Sequence, residues 1–104
     1  MLAKKYRLPV QNFVKKRGES KKTEYFHIKR FPTNNVYSRF GIVVGKKINK
    51  KAAERNKKKR IISSFFEENY KKIKNGDFII ISMPAINELD ANSIKEELSK
   101  TFGR

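Results

Sequence analysis

Five stretches of this chain space their apolar residues regularly, and each spacing predicts an element. Val10, Phe13 and Val14 follow Pro9 at helical intervals, which predicts a short amphipathic helix over Val10 to Lys16, ended by Gly18. Glu19 to Lys22 has no apolar residue and reads as a polar connection. From Tyr25 to Arg30 the period drops to two: Phe26 and Ile28 share one face, and Tyr25, His27 and Lys29 share the other. That is the pattern of a half-buried strand. Pro32-Thr33-Asn34-Asn35 is a turn cluster. A second strand over Ser38 to Gly45 points Phe40, Ile42 and Val44 one way and Arg39, Gly41, Val43 and Gly45 the other.

From Lys51 the period becomes helical. Ile62, Phe65, Phe66, Tyr70 and Ile73 fall within one arc, and Asn56, Lys57, Arg60, Ser63, Ser64 and Glu67 lie opposite. A helix to about Lys74 follows, stopped by Asn75-Gly76. Arg55 and Lys58 fall inside the apolar arc, where their long stems can lie on apolar surface while the charge reaches water. Asp77 to Met83 is a near-continuous apolar run, as expected of a strand covered on both faces, and Pro84 closes it. Asp90 or Asn92 then caps a last helix with Ile94, Leu98 and Phe102 inward and Glu96 and Glu97 outward. The order predicts an α/β (α+β) two-layer sandwich with a mixed sheet, in a single domain over 1–104.

Composition narrows the class. A length of 104 residues supports one modest core. The absence of Cys excludes disulfides, thiolate catalysis and Cys-based zinc sites. No secretory-type apolar stretch opens the chain, and Phe78 to Ile81 is too short to cross a bilayer, so a cytoplasmic protein is expected. The net charge is +16, and it is unevenly placed. Residues 1–60 carry 20 Lys or Arg against three acids, a net +17, while residues 61–104 carry six against seven, a net −1. Solubility alone would scatter the excess over both parts; concentration favours a surface for a polyanion.

The densest stretch is Lys46 to Arg60, with nine basic residues and one acidic: Lys46, Lys47, Lys50, Lys51, Arg55, Lys57, Lys58, Lys59 and Arg60 against Glu54. It forms a strand-to-helix connection and the opening of the helix, where basic side chains and helix N-terminal amides both favour phosphate. A merely solvated face fits less well, because nine like charges repel one another unless a partner compensates them. Asn56 and Arg60 stand one turn apart and can engage neighbouring phosphates or 2′-hydroxyls together. A second candidate is the outward strand face, with Tyr25, His27 and Lys29 beside Val43, Gly45 and Lys47, and Phe13 from the first helix. Rings to stack on and lysines for phosphates are how single strands are held without a base code. Catalytic patterns are weak: the ten carboxylates are dispersed, a triad would rest on His27 alone, and no Gly-rich phosphate loop is present. No small-molecule substrate and no membrane partner is expected.

Phe40-Gly-Ile-Val-Val-Gly-Lys-Lys followed by Ala52-Ala-Glu-Arg-Asn-Lys-Lys-Lys-Arg60-Ile-Ile resembles the signature of the bacterial ribonuclease P protein component. Arg7-Leu8, Asn12-Phe13, the Gly76-Asp77-Phe-Ile-Ile-Ile strand and the Leu98-to-Phe102 helix extend the resemblance over about residues 7–102. The resemblance implies a left-handed βαβ crossover, against the usual hand. It implies that Arg55, Asn56, Lys57, Lys59 and Arg60, with Lys46, Lys50 and Lys51 nearby, contact a catalytic RNA subunit. It further implies that Phe13, Tyr25, His27, Lys29, Val43, Gly45 and Lys47 hold the 5′ leader of precursor tRNA. Chemistry would belong to the RNA and its Mg²⁺, with no cofactor bound by the protein. Ser63-Ser64 departs from the family's usual Arg-Glu, and the short first helix keeps one aromatic where relatives commonly carry two. The alternative is a structural RNA-binding protein of the small ribosomal type, with no role in cleavage.

Overall fold

The apolar run takes the centre of the sheet. In a computed structural model, which describes residues 6–9, 18–33, 37–73 and 76–102, four strands form: β1 (Glu19–Lys22), β2 (Phe26–Phe31), β3 (Arg39–Val43) and β4 (Asp77–Ser82). Their spatial order is β1-β2-β4-β3, with β4 antiparallel to β2 and parallel to β3. The parallel pair is joined through helix α1 (Ala52–Asn69), and helix α2 (Ala91–Phe102) closes the described chain. Both helices cover one face of the sheet, so the fold is a single α+β domain of two layers, as the patterning implied. The short helix expected over Val10 to Lys16, with Phe13, lies outside the described residues.

Registers explain the core. Ile28, Ile80 and Ile42 stand in one cross-strand row, and Arg30, Phe78 and Phe40 in the next. Ile62, Phe65, Phe66, Ile94 and Leu98 descend on these rows from the helices. Phe40 stacks on Phe66 at 4.3 Å and 19°, and Phe102 meets Phe66 and Phe78 edge-on at 5.3 and 5.5 Å. Each such fully buried ring or branched chain contributes about 2 kcal/mol of burial. Asp90, rather than Asn92, caps α2: its Oδ1 accepts the Ser93 N–H at 2.8 Å. These backbone and side-chain hydrogen bonds from Ser93 hold the Asp90 carboxyl below its ordinary pKa.

Three expectations change. Glu19–Lys22 is a strand, not a connection: its four residues are exposed, and it exists by pairing Glu19 with Arg30 through Lys22 with His27. Gly18 leads into this strand, and a Cβ there would collide with the Arg30 carbonyl and the Phe31 ring. The long helix ends at Asn69, not near Lys74. Asn69 leaves helical geometry at φ −125° and turns its amide to the Phe65 carbonyl at 2.8 Å, so a 3₁₀ turn over Tyr70–Lys72 delivers Ile73 to the core. Ser63, placed outward on the helical wheel, is buried. Its neighbour Ser64 accepts Lys95 Nζ at 3.3 Å, and Lys95 also pairs with Glu68 at 3.2 Å, joining the two helices.

Candidate nucleic-acid interface

The face of the sheet away from the helices is read off the registers. Lys22, His27, Ile81 and Val43 form one row, and Ser20, Lys29, Ile79 and Gly41 the next. β4 therefore separates the two strands expected to adjoin. His27 and Val43 stand two strand spacings apart, roughly 10 Å, with Ile81 between them. The floor is apolar: Leu8, Phe31 and Ile79 make a second buried cluster, with Val43 and Ile81 packed against it. Leu8 is placed here by an isolated parallel bridge between Arg7 and Phe40, the Leu8 N–H donating to the Phe40 carbonyl at 3.0 Å. His27, Lys29 and Lys22 flank the floor on one side, and Gly45, with open space around its Cα, leads β3 out to Lys47 on the other.

Tyr25 does not join this face. It lies in the bend before β2, where strand alternation has not begun, and packs against the helix-side core. Its phenol is held above the ordinary value, first by the charge of Glu24, then by burial, and then by Glu97 and Glu88. Three carboxylates around one ring make an acidic surround, the opposite of a phosphate site. Ile81, half-buried, and Lys22, exposed, share this face beyond the residues expected there, whereas Leu8, Phe31 and Ile79 are buried beneath it. The signal for two of them was present: a strand apolar on every position must turn alternate residues away from the core, which puts Ile79 and Ile81 outward.

The basic stretch divides by role. Lys46, Lys47, Lys50 and Lys51 are exposed in the loop between β3 and α1, and Asn56, Lys57 and Arg60 are exposed on the first turns of α1. Asn56 and Arg60 are adjacent, the Arg60 Nε donating to the Asn56 carbonyl at 3.5 Å. Lys59 is half-buried. Lys58 turns inward, its side chain only 10% exposed and its ammonium 4.0 Å from Glu54. Arg55 also turns back, its Nη1 donating to the carbonyls of Asn49 at 2.8 Å and Lys50 at 3.0 Å. Those two bonds hold the loop against the helix start. Lys57, Arg60, Ser64 and Lys95 line a cleft of about 610 Å³ between α1 and the start of α2. The exposed cations thus occupy one edge of the sandwich, and β3 runs from the groove directly into it.

Among the described residues no helix is long and apolar enough to cross a membrane, and no three His, Asp or Glu side chains are grouped as a metal site. The arrangement is a cationic edge continuous with a lysine-flanked sheet face whose centre is apolar.

Comparison with known proteins agrees in sequence and in shape. The family profile described as Ribonuclease P matches residues 4–104. The ribonuclease P protein component of Pasteurella multocida is 36% identical over 73 residues, which cover 70% of this chain and 61% of that relative, so the chain spans about three fifths of its length. The RNase P protein of Thermotoga maritima, solved with 1-(4-fluorophenyl)-2-thiourea, superposes with a TM-score of 0.85 at 31% identity, covering 94% of this chain and 98% of that one. A Staphylococcus aureus RNase P protein mutant with defective mRNA degradation activity gives 0.84 at 29% identity, covering 93% and 85%. With its cationic edge and groove carried on that shared fold, the chain belongs to the bacterial ribonuclease P protein component family.

Proposed function

We propose that this chain is the protein subunit of a ribonucleoprotein endoribonuclease that removes the 5′ leader of precursor tRNA. The observation that carries the reading is the joining, through β3, of an exposed cationic edge and a lysine-flanked sheet face. The cationic edge, with Asn56, Lys57 and Arg60 on the helix and Lys46, Lys50 and Lys51 on the loop, suits the phosphates of a folded catalytic RNA. The outer sheet face suits an unpaired leader, with Lys29, Lys47 and His27 flanking the half-buried Ile81 and Val43. Phe13 remains a candidate for its wall, whereas the surroundings of Tyr25 argue against it. Cleavage belongs to the RNA subunit and its Mg²⁺; the protein's part is to supply positive charge where two RNAs meet. Partners are the catalytic RNA and precursor tRNA, in the cytoplasm.

The test is to add this protein to a bacterial catalytic RNA at low Mg²⁺ and follow 5′ cleavage of precursor tRNA with long and trimmed leaders. Stimulation that depends on the leader is expected. Binding to RNA with no effect on cleavage would instead support the structural RNA-binding alternative, and equal stimulation of both substrates would remove the groove assignment.

A further inference from the structure

The four exposed lysines of the β3–α1 loop are held by Ile48, Asn49, Asn87 and Arg55. Ile48 is half-buried against the main core and splits the loop into two lysine pairs, Lys46-Lys47 before it and Lys50-Lys51 after Asn49. Its N–H closes a turn onto the Gly45 carbonyl at 3.0 Å. Its carbonyl accepts the side-chain amide N–H of Asn87, which lies in the 3₁₀ turn over Pro84–Glu88 that follows β4. The other end of the Asn87 amide accepts from Asn49 Nδ2 at 3.4 Å, and Asn49 Oδ1 in turn accepts the Lys51 N–H at 3.0 Å. Arg55 completes the frame from the helix side through the Asn49 and Lys50 carbonyls.

We infer that Asn87 is a positioning residue for RNA binding: across a separation of 39 residues it fixes the loop so that its lysines are presented in one arrangement. This inference rests on the RNA-binding reading of the basic stretch. Four like charges on a loose loop spread apart by repulsion, and ordering them on a partner costs conformational entropy for every residue fixed. A loop already tied at Ile48 and Asn49 meets that cost during folding and binds more tightly for the same number of contacts. Asn87 donates one hydrogen bond and accepts another on this loop, and it is exposed, so removing it should loosen the loop while leaving the core intact.

Affinity for a bacterial ribonuclease P catalytic RNA, measured as a function of salt, separates positioning from charge. Asn87→Ala should weaken binding about 3- to 10-fold, the scale of one or two lost hydrogen bonds, with the salt slope unchanged. Lys50→Gln should instead make the slope shallower by about 0.7 to 0.9. Asn49→Ala should behave like Asn87→Ala. In the protein without RNA, amide exchange at Lys51 should quicken in both Asn variants, while the thermal midpoint stays near the parent's. The Asn87→Ala loss should shrink when Lys50 and Lys51 are both Gln, because the two perturbations share one loop. Parent-like affinity of Asn87→Ala, with Lys50→Gln weakened, overturns the positioning role. So does a full loss with Lys51 exchange unaltered, which would mark Asn87 as a direct contact. If neither Lys50→Gln nor the double Gln variant changes affinity or slope, the RNA-binding reading of the loop fails instead.

Discussion

The ion pair at the parallel junction of β3 and β4 should dominate the response of this fold to a single conservative change. Arg39 and Asp77 are register partners, and the guanidinium grips the carboxylate with two bonds, Nε to Oδ1 at 3.0 Å and Nη2 to Oδ2 at 2.8 Å. The Asp77 side chain is 4% exposed and that of Arg39 25%. Asp77→Asn keeps the shape but replaces one acceptor oxygen with an N–H donor that faces an N–H of the guanidinium. Removing one member of a fully buried pair costs about 3–5 kcal/mol; discounting for the quarter-exposed arginine leaves about 2–3 kcal/mol. A domain of this size has about 5–15 kcal/mol in total. Urea unfolding followed by far-UV circular dichroism is the assay. With a slope of about 1–1.5 kcal/mol/M the midpoint should fall by roughly 2 M. Arg39→Met combined with Asp77→Leu should recover most of the loss, because an apolar pair replaces a desolvated ionic one at little net cost. A midpoint for Asp77→Asn within about 0.3 M of the parent would refute the argument, since the pair would then be solvated or dispensable.

Other outcomes follow from single groups. Ser82 Oγ is buried opposite Phe26 without a hydrogen-bond partner, so Ser82→Ala should leave stability unchanged or raise it by up to about 1 kcal/mol, read from the same unfolding curves. The lowered Asp90 carboxyl contributes stability that is present above the unfolded value of about 3.9 and lost as pH falls through the lower folded value. Asp90→Asn keeps an acceptor for Ser93, so its thermal midpoint should match the parent near pH 7 and fall less between about pH 4 and 2; parallel curves would count against the cap. If roughly five to eight phosphates are neutralised, RNA affinity should fall with salt at a log–log slope of about −5 to −7. A nearly flat dependence would remove the cationic edge as the binding surface.

What could be read from the chain follows physical lines. β2, β3, β4 and α2 announce themselves because one face of each is buried, or both faces for β4, and burial imposes a period on composition. β1 could not be read that way: Glu19, Ser20, Lys21 and Lys22 are exposed, and the strand is held by backbone bonds to β2, which leave no mark on side-chain choice. The basic edge was legible as charge, but its division was not. Lys57 and Lys58 are chemically alike in sequence, yet one is exposed and the other lies beside Glu54. Arg55 matches the family's helix motif, yet its guanidinium bonds back to its own loop. The groove was half legible, because alternation chose the correct faces of β2 and β3 but said nothing of β4 between them. Tyr25 failed for a local reason: a bend resets which way the next side chain points.

The strand order carries a consequence for how the molecule comes into being. Since β4 lies between β2 and β3, the first three strands cannot form one sheet by themselves. On a ribosome, the β1–β2 hairpin and the lysine-rich crossover emerge while the strand that unites them is still unsynthesised. Pairings this distant in sequence form slowly, and until they form, the Phe40 and Ile28 faces lack their covering partner. The same insertion creates both the Ile79–Ile81 floor and the turn bearing Asn87. A nascent chain therefore has its positive charge long before it has a shape in which to present it, and the cationic edge and the outer sheet face take form in one late step, with the closing of the sheet.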